Sequence, residues 1–275
     1  MPPRVAVIGH VEWVTFAHGE PPARGQIATS RDPFSLPAGG GAIAAVECAR
    51  LGARTRLYTA LGEDGAAAEA RAFLAARGVE VVAAVRDAAQ TRALALLHAD
   101  GERTIVVVGD NLQPAAGDAM PWGDLAAVDA VCVTADDPGL VAAARAAPVL
   151  VVSARRLDAV AASGVAVDVV VGSARDAAEA LAPAGLRVPP GAIVTTDGAA
   201  GGTYALRDGR TGRFAAVAPP GPFVDAFGAG DCFLAGLTVA LAAGEPLEAA
   251  LAAGAAAGAA AVARRGPYTV SRRRP

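Results

Sequence analysis

The sequence predicts an α/β fold built on a mostly parallel sheet, and three observations lead to this prediction. The β-branched run Arg4–Ile8 ends at Gly9, as a buried first strand of a parallel sheet does. From residue 127 onward, strand-like and helix-like stretches alternate, which is typical of a parallel sheet covered by helices. The length of 275 residues is ample for one large core. We therefore expect a single domain over residues 1–275.

Composition excludes several classes of function. The chain contains no lysine, so arginine supplies all 24 of its Lys+Arg residues. A Walker-type P-loop needs a lysine on the β- and γ-phosphates, and a Schiff-base enzyme needs a lysine amine, so both classes of protein are excluded. The net charge of −3 and a single basic run, residues 272–274, indicate no nucleic-acid partner. Any phosphate chemistry must use backbone amides, arginine and a metal ion.

The cysteines and the apolar runs indicate an intracellular environment. Cys48, Cys132 and Cys232 are far apart and form no C-x-x-C pair, as buried thiols in a reducing cytosol do. The longest run of low polarity, residues 249–263, is shorter than the roughly 20 residues needed to span a bilayer. Polar residues interrupt the short apolar run at the start of the chain, which argues against a signal peptide. We expect a cytoplasmic protein with no membrane partner.

The N-terminal part combines irregular segments with strands. Residues 10–37 are polar and rich in proline and glycine, so they do not suit a core helix. Glycines 39 to 41 form either a flexible loop or the opening of a helix that stops at Gly52. Strands are predicted at 55–61, 79–85, 93–98 and 103–108, with a helix at 66–76. An Asp-Gly hairpin turn at residues 99–102 joins the last two strands.

The C-terminal part carries the alternation. Strands are predicted at 130–134, 149–152, 167–171, 192–195 and 203–206, and helices at 138–146, 157–163 and 174–181. After Asp231 the chain is nearly all helix. One helix runs to Ala243, and a second opens at Pro246 and ends before Gly266. Gly254 and Gly258 allow these two helices to pack closely.

A motif at residues 224–241 predicts an anion site. Gly228, Ala229 and Gly230 precede apolar residues that repeat as one face of a helix, so the small residues lie where that helix begins. A helix start carries unpaired N–H donors and the positive end of the macrodipole, and Asp231 lies in its first turn. The alternative interpretation is a tight loop with Asp231 as a helix-capping residue.

The pattern Asp225-x-x-Gly228-Ala229-Gly230-Asp231 resembles the signature of the ribokinase (PfkB-type) carbohydrate kinase family. The resemblance implies a ribokinase-like α/β fold, a central mostly parallel sheet flanked by helices, with a small β-rich lid. It also implies that Asp231 is the catalytic base, that the amides of residues 228–230 form the anion hole, and that ATP with Mg²⁺ is the donor. Asp225 corresponds to a residue that in some members helps to hold a monovalent cation. Its alternative role is to cap a turn.

The glycine loop and the helix after it resemble the N-terminal signature of the same family. The resemblance places substrate contacts at Glu12, Gly39, Gly40 and Ile43. Three polar positions differ, because Val14, Gly40 and Ile43 stand where the family usually has Asp, Lys and Asn. The lid would come from parts of residues 10–37 and 90–110, with Arg103 as a lid contact to the substrate, and family members often dimerise through this element.

Two further turns resemble nucleotide contacts of the family. Ser173-Ala174-Arg175-Asp176 falls where the family has Asn-x-x-Glu, so Ser173 would approach the nucleotide and Asp176 would act on Mg²⁺ or merely cap its helix. Thr196, Gly198 and Gly201 resemble the Thr-x-Gly-x-x-Gly turn that approaches the ATP phosphates. A plain β-hairpin is the alternative at this turn.

These expectations together predict an ATP-dependent kinase that phosphorylates a hydroxyl of a small sugar-like substrate. Two alternatives remain open. The missing polar positions also suit a nucleoside or other non-sugar kinase, since a buried polar ligand group without a partner costs roughly 1–3 kcal/mol. The missing polar positions suit equally a kinase-fold protein that binds a nucleotide or metabolite without turnover. The intact Asp231 motif argues against this second alternative.

Overall fold

The computed structural model describes residues 1–30, 32–98, 101–179 and 186–268. Its strands form two sheets. In chain order the strands are β1 (Arg4–Ile8), β2 (Glu12–His18), β3 (Phe34–Ala38), β4 (Arg54–Leu61), β5 (Val79–Val85), β6 (Arg92–Leu97), β7 (Arg103–Val108), β8 (Ala130–Val133), β9 (Val149–Ser153), β10 (Val169–Ser173), β11 (Ala192–Thr196), β12 (Gly202–Leu206) and β13 (Thr211–Phe214). The helices are α1 (Gly40–Arg50), α2 (Gly65–Ala75), α3 (Pro138–Ala144), α4 (Leu157–Ser163), α5 (Ala229–Ala242) and α6 (Leu247–Ala261).

The larger sheet has nine strands in the order β13-β12-β11-β10-β9-β8-β1-β4-β5. Its strands are parallel from β5 across to β11, while β12 and β13 are antiparallel. This confirms the predicted mostly parallel sheet. The strand order reverses at β1, because β4 and β5 extend the sheet on one side and β8 to β11 extend it on the other. Ligands of open α/β sheets bind at such a switch point, beyond the carboxyl ends of the strands.

Alternate residues of β1 supply two separate layers of the core. Val5 and Val7 pack with α1, α5 and α6 on one face, while Ala6 and Ile8 pack with α3 and α4 on the other. Both faces of the strand are buried, which explains its continuous apolar sequence. The three cysteines are buried free thiols, as predicted. Within the described ranges, no helix combines the length and the apolar character that crossing a membrane requires.

The smaller sheet has the order β3-β2-β6-β7, and we call it the lid. β2 and β6 are parallel, whereas β3 and β7 run antiparallel to their neighbours. The predicted small β-rich element is therefore present. Its outer strand β7 is exposed along most of its length, including residues 105–108.

One predicted helix is wrong where it can be compared. Residues 174–179 contain only a 3₁₀ turn at Ala177–Glu179, and residues 180 and 181 lie outside the described ranges. The side chain of Asp176 accepts the amide of Ala178 at 3.0 Å, so a local turn replaces the first helical turn. The predicted hairpin turn at 99–102 includes residues 99 and 100, which also lie outside the described ranges.

Candidate active site

The N-terminus of α5 forms the centre of the site. Gly228 is its N-cap and has φ 76° and ψ 4°, a left-handed conformation that glycine adopts without strain. No side chain caps this helix start in the part of the chain that the structure describes. A Cβ atom on Gly230 would have no heavy atom within 4 Å, so the first turn faces open space. The helix start therefore offers backbone N–H donors to an anion.

Asp231 lies in this first turn and faces the glycine loop before α1. A Cβ atom on Gly40 would lie 3.2 Å from Asp231 Oδ1 and 3.2 Å from Thr134 Oγ1. The absence of a side chain at Gly40 thus lets the carboxylate and the hydroxyl approach one point. Thr134 follows β8 and is only 3% exposed, yet its Oγ1 has no hydrogen-bond partner among the described residues. A buried hydroxyl without a protein partner is available to a bound water molecule or a ligand.

Burial raises the pKa of Asp231 to about 6, and the negative charge of Glu179 acts in the same direction. The positive charges of Arg103, Arg155 and Arg156 oppose the shift. We expected the helix N-terminus to favour the ionised carboxylate, but desolvation outweighs that effect. A carboxyl group with a pKa near 6 is still mostly ionised at neutral pH and is suited to accept a proton.

His10 and Glu12 form a second wall, at the corner between β1 and β2. Glu12 is 9% exposed, and its Oε1 lies 3.6 Å from His10 Nε2. Burial, then the charge of Arg156, lowers the pKa of His10 to about 4, so the imidazole is neutral at neutral pH. Burial and the negative charge of Asp231 raise the pKa of Glu12. Gln90 fixes this corner, because its Nε2 donates to Val11 O at 2.6 Å.

The other residues predicted to contact the substrate have different structural roles. A Cβ atom on Gly39 would lie 2.9 Å from His10 Cδ2, so this glycine allows the imidazole to pack against the loop. Ile43 is buried, and its Cδ1 lies 3.0 Å from the Cβ position of Gly228. Val14 is also buried and belongs to the core. Ile43 supports the anion loop by packing and offers the site no hydrogen bond.

The lid reaches the site through Arg103, the first residue of β7. The positive charge of Arg103 opposes the raised pKa of both Asp231 and Asp225, which places it within electrostatic reach of these carboxylates. The lid also contacts the segment before α5, since a Cβ atom on Gly101 would lie 2.5 Å from Phe223 Cζ. The lid therefore packs against the segment that leads into α5, and its strands β2 and β3 begin at Glu12 and end at Ala38, next to the predicted acceptor residues.

The predicted nucleotide residues lie side by side at the ends of β10 and β11. Ser173 and Thr196 are paired in register, and Thr196 Oγ1 donates to Gly172 O at 3.2 Å. A Cβ atom on Gly198 would lie 2.8 Å from Arg175 Cζ. A Cβ atom on Gly201 would lie 2.2 Å from Phe214 O, which makes this glycine a requirement of the β12–β13 hairpin.

The two residues predicted to bind cations have protein partners. Asp225 is buried, and its two carboxylate oxygens accept the amides of Phe227 at 2.9 Å and Gly266 at 2.8 Å. Asp176 forms an ion pair with Arg155. Arg155 Nε also lies 2.8 Å from Glu179 Oε1. Among the described residues there is no group of three or more His, Cys, Asp or Glu side chains that could hold a metal ion.

The sequence-based candidates missed several residues of this site, including His10, Thr134, Arg155, Arg156 and Glu179. The first four follow the carboxyl ends of β1, β8 and β9. The rule that ligands bind beyond these strand ends could have found them, whereas Glu179 carries no such signal, because it follows β10 by six residues.

Solved structures share this architecture at low sequence identity. Ribokinase from Arabidopsis thaliana, in complex with ribose and ATP, superposes with a TM-score of 0.75 and 18% identity, covering 97% of this chain and 94% of that one. Adenosine kinase from Sinorhizobium meliloti gives a TM-score of 0.79 and 17% identity, covering 97% and 96%. These comparisons define the fold as ribokinase-like.

The family follows from the sequence itself. The model of the pfkB family carbohydrate kinases matches residues 3–273, so the chain belongs to that family, whose members phosphorylate alcohol groups. A curated relative, acarbose 7(IV)-phosphotransferase from Actinoplanes sp. (strain ATCC 31044 / CBS 674.73 / SE50/110), is 52% identical over 68 residues. That match spans 24% of this chain and 23% of the relative.

Proposed function

We propose that this chain is an ATP-dependent kinase that transfers the γ-phosphoryl group to a hydroxyl of a small, sugar-like acceptor. The observation that carries the proposal is the uncapped start of α5, where residues 228–230 lie beside the half-buried carboxylate of Asp231. Phosphoryl transfer passes through a loose transition state and mainly asks a protein for positioning and charge stabilisation. Family membership supports the same reaction.

Asp231 is the proposed general base. Its carboxylate accepts the proton of the acceptor hydroxyl while the acceptor oxygen bonds to phosphorus and the bond to the β-phosphate oxygen breaks. The amides of residues 228–230 stabilise the charge on the transferred group. ATP with Mg²⁺, when bound, supplies the phosphoryl group and neutralises its charge.

Arginine takes the place of lysine in this proposal. Gly40 stands where the family usually has a lysine, and the chain contains none. Arg103 and Arg155 are exposed and act electrostatically on Asp231, so they are suited to face the phosphate. Arg155 would do so while it pairs with Asp176 and Glu179. Arg156 is held more firmly, because its Nε donates to Thr134 O at 2.7 Å.

The remaining cofactor assignments extend the proposal. We assign Ser173, Thr196, Gly198 and Gly201 to the nucleotide side and Asp176 to water-mediated contact with Mg²⁺, which is commonly held by one or two carboxylates and substrate phosphates. For Asp225 the two backbone hydrogen bonds favour the turn-capping role over a monovalent cation.

A nucleoside or other non-sugar acceptor is the second candidate. The buried, apolar side chains of Val14 and Ile43 favour it, since they cannot bind sugar hydroxyls. A protein that binds ligand without turnover is disfavoured by the intact Asp231 and glycine cradle. Comparison of sugars and nucleosides as acceptors, with ATP consumption as the readout, separates the three.

We also propose that a second copy of this chain covers the lid. The outer strand β7 lies at the edge of its sheet and exposes four consecutive apolar residues, 105–108, to solvent. Exposed apolar edge strands readily pair with another chain.

Calorimetry with MgATP tests the proposed function. We expect the wild type to bind and Gly230→Ala to bind about tenfold more weakly, because the added methyl group blocks close approach of a phosphate, a loss of about 1.4 kcal/mol. Thermal stability should be unchanged or slightly higher, since the methyl group meets nothing in the protein and alanine favours a helix more than glycine does. Gly65→Ala, also in open space at the start of α2, is the matched control. No binding by the wild type at millimolar nucleotide would exclude the kinase.

A further inference from the structure

We propose that the acceptor carries a protonated amine near its reacting hydroxyl, and that Glu12 binds this amine. The inference rests on the proposed kinase function and names the chemical class of its acceptor: amino sugars and aminocyclitols rather than sugars that carry only hydroxyls.

The first observation is a buried carboxylate without a cation. Glu12 is 9% exposed, and the basic group in ion-pair contact with it, within the described ranges, is His10 at 3.6 Å. The buried imidazole of His10 is neutral at neutral pH and cannot compensate the charge. An unpaired buried carboxylate is costly to ionise, and a ligand cation in hydrogen-bond contact with Glu12 would favour its ionised form.

The second observation is that two of the three arginines near Asp231 are paired with other carboxylates. Arg156 pairs with Asp136 and donates to the backbone of Thr134. Arg155 pairs with Asp176 and Glu179. Their positive charges therefore serve the side of Asp231 where the nucleotide is proposed to lie. The third arginine, Arg103, acts on Asp231 and Asp225, and among the described residues it makes no ion pair with Glu12.

The third observation concerns the position opposite Asp231. A side chain at Gly40 would point at Asp231 Oδ1 and Thr134 Oγ1, each 3.2 Å from its Cβ atom. The sequence places glycine there and uses no lysine anywhere. The position next to Asp231 and Thr134 therefore carries no cationic side chain, and its space is left for the ligand.

A buried, unpartnered hydroxyl gives independent evidence for a polar ligand at this point. Thr134 is 3% exposed, and its Oγ1 has no partner among the described residues. It lies beside the same Gly40 position that Asp231 faces. An amino alcohol would satisfy this set: the ammonium donates to Glu12, the reacting hydroxyl to Asp231, and a neighbouring polar group pairs with Thr134.

The charge of the ligand decides between the two acceptor classes. A neutral hydroxyl can hydrogen-bond to Glu12 but cannot compensate its charge. An ammonium does both, and charge-assisted hydrogen bonds are about twice as strong as neutral ones. The ammonium would also favour the ionised form of Asp231, which the proposed base requires.

Calorimetric titration of matched acceptors tests the inference, both alone and with Mg²⁺ and a non-hydrolysable ATP analogue. The pairs are D-glucosamine with D-glucose, D-galactosamine with D-galactose, and streptamine with scyllo-inositol. We expect at least one amine to bind about tenfold or more tightly than its matched alcohol. In Glu12→Gln the two should bind about equally, whereas Glu69→Gln, an exposed carboxylate on α2, should behave as the wild type.

Three results would overturn the inference: equal or tighter binding of the alcohol in every pair, no binding of any of the amines at millimolar concentration, or an equal loss for both members of a pair in Glu12→Gln. The wild-type comparison holds even if Glu12→Gln does not fold. Absence of MgATP binding would show separately that the kinase proposal fails. The acceptor titrations without nucleotide would still measure the preference for the amine.

Discussion

Asp231 experiences two opposing influences. The N-terminus of α5 favours its ionised form, while removal from water favours its protonated form, and the second effect dominates. The outcome is a pKa of about 6, closer to working pH than the pKa of an ordinary aspartate. A base in this range combines ready ionisation with a useful driving force for proton transfer.

We expect Asp231→Asn to lower turnover by the roughly 10²–10⁴-fold that follows loss of a general base. Asparagine keeps the size of the side chain, and within the described residues Asp231 makes no capping hydrogen bond at this helix start, so the stability should change little. ATP affinity should also hold, since the amides of residues 228–230 are unaltered. Steady-state kinetics and nucleotide titration of the two proteins check this, and equal turnover would reject the assignment.

The pH dependence of kcat/KM is a second readout of the same residue. The base must be ionised, so the rate should be constant above the raised pKa and fall about tenfold for each pH unit below about 6. The residual activity of Asp231→Asn should lack this acidic limb. A helix cap with no role in proton transfer would give the same profile in both proteins.

At the scale of elements, α5 and α6 pack at very short range because glycine and alanine line their interface. A Cβ atom on Gly236 would lie 2.8 Å from Ala253 O and 2.8 Å from Ala257 Cβ. A Cβ atom on Gly254 would lie 2.9 Å from Phe233 O. The predicted close approach of these helices is therefore confirmed. It matters for function because α6 fixes the helix whose first turn carries Asp231.

Gly236→Ala should lower the free energy of unfolding by about 1–3 kcal/mol, because the two contacts at 2.8 Å force the helices apart. The better helix propensity of alanine, up to about 1 kcal/mol, offsets only part of this loss. Denaturant unfolding measures the change. Gly65→Ala, which adds the same methyl group in open space, is the control and should be neutral or stabilising. Equal stability of Gly236→Ala and wild type would contradict the packing argument.

For the whole molecule, the position of β1 explains where the site forms. β1 lies between β4 and β8, so the sheet extends from β1 on both sides as later strands are added. His10 after β1, Thr134 after β8 and the helix start at Gly228 meet beyond this point, although more than 200 residues separate the first from the last. The lid begins beside the same edge, because its strand β2 starts at Glu12, four residues after β1 ends.

The exposed lid strand leads to a prediction about assembly. Val108→Lys should convert a dimer to a monomer, because a charged side chain on the edge strand opposes pairing with a second copy. Val85→Lys is the matched control, since Val85 lies on the edge strand β5 of the large sheet and both valines are 56% exposed. Light scattering of the three proteins measures the mass. A wild-type monomer would reject the proposed interface.

The sequence by itself determined the features that depend on local chemistry. The alternation of strands and helices after residue 127 and the apolar run of β1 predicted the parallel sheet, because burial on both faces dictates composition directly. The small residues before α5 predicted an anion site for a similar reason, since only small residues let backbone amides approach a ligand. Because the sequence contains no lysine, the permanently charged cationic side chains available to the site are arginines.

Tertiary structure alone decided the features that depend on which strands are neighbours. Asp225 looked like a cation ligand or a turn cap, and its hydrogen bond to Gly266, 41 residues away, supports the cap. The helix dipole at Asp231 was visible in the sequence, but the burial that outweighs it was not, because burial comes from elements distant in the chain. Thr134 and His10 entered the site only through the strand order, which brings the ends of β8 and β1 together.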